Sequence, residues 1–362
     1  MKILHVLYSG LGGHGNVFFS MVAADENYEF EYEALFNGVE EVKAEYIKKC
    51  DALNIKWKYV KKKPGFDFSY YKSMAGIIKK SNAGIIFLHS SAYILPAKLG
   101  NLFNRKKKKI IIRETQSNQL KTKIEKLWLS MTFLWADKII FLTEEYKNEI
   151  EKKPHWLYRE KKVAVIPNGI DLTIFHPGSK INKDWLNIGM QSRLTKNKDH
   201  TTLLRAFSLL KKQGYNNIKL KIAGDGKCKP ELILLSQQLK IDSEVDFTGM
   251  LEENALIKFL QDVNIYIHAS FGETMSTAII QAMACGLPII ASDVPGIKNM
   301  IINNTTGIIV PVKNEQLMAD AIEHLLNNSS FADELGDNAY IFAKQNYSNL
   351  IMFKKYKELF TS

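Results

Sequence analysis

The strongest constraint in this chain is an alternation that runs over residues 2–171 and then begins again. Short, mostly apolar runs (KILHVLY, FEYEALF, GIIFLHSS, KIIIR, DKIIFL, KVAVIP) alternate with helix-length stretches at 16–24, 42–53, 70–80, 93–103, 123–136 and 145–152. Strands apolar along their whole length are buried on both faces, which suits a parallel sheet covered by helices rather than an antiparallel one with a wet face. The alternation predicts a doubly wound α/β sheet. After Pro167-Asn168-Gly169-Ile170-Asp171 the pattern restarts through LNIGMQSRL, IKLKIAGDG, VDFTGM, VNIYIHAS, LPIIAS and GIIVPV. A chain of 362 residues also exceeds what one core usually serves. Two Rossmann-like domains are expected, over 1–172 and 173–345, with a terminal helix over 346–362.

Composition narrows the classes. Three cysteines without a CxxC pair or a His cluster give neither a disulfide framework nor a zinc site, which points to a reducing, cytoplasmic compartment. The N-terminal apolar run is too short for a signal peptide, and no apolar segment approaches the roughly 20 residues of a membrane span. The net charge of +11 is one-sided: residues 1–180 hold 30 Lys and Arg against 19 Asp and Glu, whereas 181–362 hold 19 of each. A basic half suits an anionic partner or simple solubility. Nucleic acid is disfavoured as that partner, since no aromatic-rich basic motif accompanies the charge. The apolar segment 93–103, followed by Asn104, Arg105 and the lysines 106–109, reads either as a membrane-surface helix or as a surface helix with a solvated loop.

Several stretches carry chemistry. Gly10, Gly12 and Gly15 satisfy GxGxxG after the first strand, but the acidic residue that a dinucleotide site needs at the end of the second strand is not clearly placed, Glu31 and Glu33 lying inside FEYEALF. The alternative is a glycine turn that lets phosphate or sugar approach backbone N–H groups at a helix N-terminus. His89 falls where a strand ends, the edge at which open parallel sheets bind ligands. FGETMSTAIIQAMACG, at 271–286, places Glu273 and Gln281 eight residues apart, about two helical turns, so that both could line one face near a helix N-terminus. Arg193 and Lys198, in SRLTKNKD, sit between a strand and a helix and suit a diphosphate, the Arg by paired hydrogen bonds and the Lys as a point charge. Glu273 would then meet sugar hydroxyls and Gln281 a ribose. No Asp-x-Asp pair occurs to hold a metal-bridged nucleotide.

Taken in order, the glycine turn, VIPNGID, SRLTKNKD, AGDG, FTG and ETMSTAIIQAMACGLPIIAS resemble the retaining family 4 glycosyltransferases of the GT-B fold. The resemblance implies two Rossmann-like domains with parallel sheets facing across a cleft, the first binding acceptor and the second a nucleotide-sugar donor, with the terminal helix crossing back to the first. It implies transfer with retention, no cofactor and no bound metal. By position, Arg193 and Lys198 resemble the diphosphate pair, Glu273 the sugar-contacting Glu of an E-x7-E element, and Met275, Ser276 and Thr277 the turn beside sugar and phosphate. Gly12 and Gly13 are similar to the loop near diphosphate and acceptor, and His89 to a histidine near the donor sugar. The second Glu of the element is Gln281 here, which leaves one acceptor oxygen and an NH2 in place of a carboxylate. The expected activity is hexose or N-acetylhexosamine transfer from a nucleotide diphosphate, UDP favoured, to a glycan acceptor, lipid-linked on polyprenyl diphosphate, at an anionic membrane surface during surface-polysaccharide assembly. A sugar-nucleotide epimerase of the same architecture and an NAD(P) oxidoreductase are the alternatives.

Overall fold

A computed structural model of the chain describes residues 1–10, 12–65, 67–102, 104, 106–116, 118, 121–152, 158–178 and 185–361. The chain divides into two compact units, Met1–Asp171 with Asn349–Ser362, and Leu172–Ser348. The first unit holds strands β1 (Lys2–Tyr8), β2 (Glu31–Gly38), β3 (Lys56–Lys61), β4 (Ile85–Leu88), β5 (Lys109–Arg113), β6 (Lys138–Phe141) and β7 (Val163–Val165), interleaved with helices α1 (Gly13–Ala23), α2 (Ala44–Ala52), α3 (Phe68–Lys80), α4 (Ile94–Leu102), α5 (Lys123–Trp135) and α6 (Glu144–Glu151). The second holds β8 (Leu186–Gln191), α7 (His200–Lys212), β9 (Ile218–Ala223), α8 (Lys229–Gln238), β10 (Val245–Gly249), α9 (Glu253–Asp262), β11 (Ile265–His268), α10 (Thr277–Ala284), β12 (Ile289–Ser292), α11 (Pro295–Lys298), β13 (Ile308–Val310), α12 (Glu315–Asn327) and α13 (Ser329–Asn346). The last helix, α14 (Asn349–Thr361), belongs to the first unit.

Both sheets are parallel, in the orders β3-β2-β1-β4-β5-β6-β7 and β10-β9-β8-β11-β12-β13. Strand alternation sorts the first core into two layers. Ile3 and Leu7 of β1 face Phe18 of α1 and Tyr356 of α14, while Leu4 and Val6 face Met74 of α3 and Phe133 of α5. Each such buried side chain contributes about 1.5–3 kcal/mol. Met352, Phe353, Tyr356, Leu359 and Phe360 follow helical periodicity, which explains why α14 lies on this unit. The Pro-Asn-Gly-Ile-Asp turn anchors it: Ile170 O accepts the Asn349 N–H at 2.8 Å, and Asn168 Oδ1 accepts from the buried Arg113 guanidinium.

Strand order reverses between β1 and β4 in one sheet and between β8 and β11 in the other. Loops diverge from the C-terminal ends of the strands at those points and leave a crevice for ligands. The loops after Tyr8, Leu88, Gln191 and His268 therefore carry the residues of interest.

One sequence expectation needs correcting. The lysines 106–109 do not form one solvated cluster: Lys108 is buried with its ammonium on the carbonyls of Ile78 and Ser81 at the end of α3, and Lys109 donates to Leu359 O at 2.9 Å. Burial lowers the pKa of both. Lys106 and Lys107 alone of the four stay exposed, and Phe103 and Arg105 of this segment lie outside the described residues, as do Leu11 of the glycine turn and 179–184 of the loop that follows the restart. Glu31 and Glu33 sit at the start of β2, paired with Lys2 at 2.7 and 3.2 Å, far from the strand end where a dinucleotide ribose would be held.

Candidate functional site

In the second unit the loop before α7 lies against the loop after β11. Asp199 N–H donates to Ala269 O at 3.1 Å and Phe271 N–H to Asn197 O at 3.0 Å, with Lys198 and Ser270 paired between them. Asp199 also caps α7 through the Thr202 N–H and accepts the Lys313 N–H at 3.2 Å, so the backbone at Lys198 is held from both sides. This pairing brings the Lys198 ammonium onto Glu273 Oε1. The same oxygen accepts from His268 Nε2 at 2.9 Å, and Lys198 Nζ is 3.3 Å from that ring nitrogen. Burial pushes the Glu273 carboxyl up, but Lys198 and the His268 hydrogen bond outweigh it and hold the group well below the usual carboxylate range. Burial and the neighbouring ammonium lower His268, so its ring is neutral with the proton on Nε2. Lys198 and Glu273 are each 16% exposed, reachable from the crevice but shielded enough to keep their charges strong.

Arg193 is exposed, and among the described residues nothing engages its guanidinium. Its backbone is nevertheless braced. The Ala-Gly-Asp-Gly turn after β9 approaches so closely that a Cβ on Gly224, at φ +138°, would lie 1.8 Å from Ser192 O, and one on Gly226 2.3 Å from Leu194 O. Leu194 N–H donates to Asp225 O at 2.9 Å across the same contact. These glycines hold the strand-end loop in place.

Met275 and Ser276 are buried and lead into α10, whose first residue is Thr277; Ser276 Oγ accepts the Ile279 N–H at 3.4 Å. Gly296 of α11 packs beneath, where a Cβ would stand 2.2 Å from Glu273 O. Because α10 begins at Thr277, Glu273 is in the loop, and it does not share a helical face with Gln281. Gln281 is 3% exposed and accepts from Gln191 Nε2 at 3.3 Å, while Gln191 Oε1 is buried without a hydrogen-bond partner.

In the first unit Gly12, at φ +154°, precedes α1, and Gly12 and Gly13 are exposed. Tyr46 Oη accepts from Gly12 N–H at 3.1 Å, and a Cβ on Gly15 would strike the Tyr46 ring at 2.1 Å. The second and last glycines of the GxGxxG match thus have local structural work. His89 follows β4 as expected but turns inward: it is wholly buried, with Nε2 3.1 Å from His5 Nδ1. Burial holds the His5 pKa down at about 3 and that of His89 well below the ordinary value. The half-buried His14, bonded to Thr115 Oγ1 at 3.0 Å, lies nearer solvent on this edge. Beside it Glu114 and Lys121 form a buried ion pair at 3.1 Å, completed by Tyr146 Oη at 2.8 Å from Lys121 Nζ. His268, Gln191 and His14 were not singled out in the sequence, although His268 ends β11 as His89 follows β4. Among the described residues no three His, Cys, Asp or Glu side chains are grouped to hold a metal ion.

Two family models tile the chain: Glycosyltransferase Family 4 over residues 12–174, and Glycosyl transferases group 1 over 173–342. The chain belongs to glycosyltransferase family 4. It is an enzyme of hexosyl transfer, and its architecture is that of GT-B. The chain is 26% identical over 273 residues to the Campylobacter jejuni N-acetylgalactosamine-N,N'-diacetylbacillosaminyl-diphospho-undecaprenol 4-alpha-N-acetylgalactosaminyltransferase, covering 72% of this chain and 71% of that one. It is 24% identical over 239 residues to the Staphylococcus aureus capsular polysaccharide biosynthesis glycosyltransferase CapM, covering 63% and 62%. Crystalline Anabaena HepE, in complex with UDP and glucose, superposes with a TM-score of 0.84 over 100% of both chains at 16% identity, a likeness of fold. In this family 4 glycosyltransferase the GxGxxG match is a glycine turn without the acidic strand end of a dinucleotide site.

Proposed function

We propose that this family 4 enzyme transfers a hexose or N-acetylhexosamine, with retention and without a bound metal, from a nucleotide-diphosphate sugar, UDP favoured, to a glycan carried on polyprenyl diphosphate. The observation that carries the reading is the Lys198–Glu273–His268 cluster at the β8/β11 switch point, immediately before the N-terminus of α10. As the glycosidic bond breaks, negative charge accumulates on the departing diphosphate. Lys198 and Arg193 oppose it with two cations, and the positive end of α10, entered through Met275, Ser276 and Thr277, adds a fixed dipole. Cations and dipole together do the work that a carboxylate-held metal would do elsewhere, and the chain has no Asp-x-Asp pair for such a metal.

Glu273, kept ionised by Lys198 and oriented by His268, accepts hydrogen bonds from donor-sugar hydroxyls. Gln281, with Gln191, faces the ribose as a neutral pair. The exposed turn at Gly12 and Gly13 serves the acceptor edge, with His89 setting the packing behind it. UDP in HepE and the undecaprenol-linked substrate in the name of the Campylobacter relative support the donor and acceptor classes. A basic first half and a lipid-linked acceptor together favour surface-polysaccharide assembly at the membrane; no helix among the described residues is long and apolar enough to cross one.

The test is a donor-hydrolysis screen across UDP-, GDP- and other nucleotide sugars. One donor should turn over slowly in water, and Lys198→Ala or Arg193→Ala should cut that turnover by about 10²–10³-fold with the fold intact. Wild-type rates in either variant would overturn the assignment. Glu273→Ala should still bind the free nucleoside diphosphate but lose sugar turnover; unchanged turnover would remove its role.

A further inference from the structure

The outer face of α5 is unlike that of the other surface helices. Ile124, Leu127 and Leu134 are 64%, 51% and 46% exposed, and with the half-buried Met131 they follow i, i+3, i+7, i+10 spacing on one helical face. Trp128 and Trp135 flank this stripe, each with one side packed on the core and the other uncovered. The neighbouring α4, which packs against α5 and runs the same way between parallel strands, exposes Leu99 and Leu102 at 43% and 46%. Two adjacent helices thus present aliphatic side chains where a water-facing surface calls for polar ones.

The charges around the patch are mostly basic, with Glu125 and Asp137 its acidic members. Lys123 and Lys126 project from the first turn of α5, and Lys106 and Lys107 follow α4, all exposed. The acidic residue within α5, Glu125, is tied into a capping box with Thr122, its carboxylate on the Thr122 N–H at 2.7 Å. Asp137, just beyond the helix, accepts the Ile110 N–H at 2.7 Å. The splitting of the 106–109 run moves the basic contribution away from Lys108 and Lys109 and leaves α5 as the centre of the patch.

We propose that the α4–α5 face is a docking surface for an anionic lipid bilayer, with α5 lying in the headgroup region. An aliphatic stripe flanked by tryptophans and lysines matches the layered chemistry of that interface: acyl chains for Ile124, Leu127 and Leu134, the boundary for Trp128 and Trp135, phosphates for the lysines. A second copy of the chain fits less well, since a two-fold contact would set this lysine-rich face against an identical one, which offers no matching cluster of acids. The proposal rests on the reading of a lipid-linked acceptor, and it names the surface that would bring the enzyme to it.

The experiment is flotation with vesicles of phosphatidylcholine alone and of phosphatidylcholine with phosphatidylglycerol, run beside donor hydrolysis in vesicle-free buffer. The wild-type chain should float with the anionic vesicles only, and added salt should weaken the association. Ile124→Ser with Leu127→Ser, and separately Lys123→Glu with Lys126→Glu, should each reduce the bound fraction by about tenfold or more while donor hydrolysis stays at the wild-type rate. Equal flotation of variants and wild type, or no flotation of the wild type, would overturn the docking surface and leave the transferase reading standing. A dimer in sedimentation that the serine variant dissolves would overturn it in favour of self-association. Flotation without turnover of any nucleotide sugar would instead remove the transferase reading.

Discussion

His268 Nε2 donates to Glu273 Oε1 at 2.9 Å, so a ring at the end of β11 fixes a carboxylate five residues further along the chain. A hydrogen bond to a charged group contributes about 1.5–3 kcal/mol. His268→Ala should therefore lower kcat/KM for the donor about 10–100-fold, and His268→Gln, which can restore an N–H donor, should recover part of the loss. Binding of the free nucleoside diphosphate, followed by calorimetry, should change little, because the ring acts through Glu273. Equal kcat/KM in wild type and His268→Ala would show that Lys198 alone positions the carboxylate.

Gly296 supplies a second handle on the same carboxylate. Its ideal Cβ position lies 2.2 Å from Glu273 O and 2.7 Å from Thr274 O, both backbone atoms that cannot swing away as a side chain would. Gly296→Ala must shift either α11 or the 273–274 loop, and overpacking of this kind costs about 1–3 kcal/mol. The expectation is a fall in the urea midpoint together with a loss of donor turnover of at least about tenfold, as displaced catalytic geometry is expensive. A stable variant with full turnover would mean that the loop has slack absent from this packing.

Gln281 is a buried amide partner first and a ligand contact second. Replacing it by Leu removes the acceptor for Gln191 Nε2 and leaves a second polar atom of Gln191 unsatisfied, at a cost of about 1–3 kcal/mol. If the pair also meets the ribose, the KM for donor should rise while kcat holds, since a ribose contact is the same in ground and transition states. Isothermal urea unfolding and initial rates measure the two effects separately. A lower urea midpoint with an unchanged KM would confine Gln281 to packing.

The strands were readable from sequence because burial on both faces leaves continuous apolar runs, and the switch points follow from strand order once two doubly wound sheets are granted. Arg193, Lys198 and Glu273 stood out as charges at strand-to-helix junctions. The partners that orient them did not. His268 ends an apolar run and reads as core, and its role appears only when the loop over 192–199 is laid against the loop over 269–276. Glu273 and Gln281 share a face only if helical periodicity continues back through Ser276, whereas the cap starts the helix at Thr277. α8 gave little signal for a related reason: its apolar residues Leu232, Ile233, Leu234 and Leu235 run consecutively, Leu232 buried, Leu235 half-buried and the other two exposed, so no face stands out. The aliphatic stripe on α5 carries the right spacing, but spacing alone does not reveal which face the core takes.

The buried histidines make acid stability the last expectation. His5 and His200 are held neutral by burial, with pKa values of about 3 and about 4, against an unfolded value near 6.5. Between those limits the unfolded chain binds more protons than the native one, so stability rises with pH across that window and falls as pH drops below about 6.5. At pH 5 each of the two costs about 2 kcal/mol relative to pH 7.5. Glu273 does not offset this: its carboxyl is depressed in the folded state, so its contribution is fully present above the ordinary carboxylate range and is lost only at lower pH. The urea midpoint should therefore drop clearly between pH 7.5 and pH 5, and His5→Phe, which keeps an aromatic ring against Phe18 and Phe87, should make the drop shallower by about one proton's worth. Identical midpoints at the two pH values would mean that these rings admit protons without unfolding.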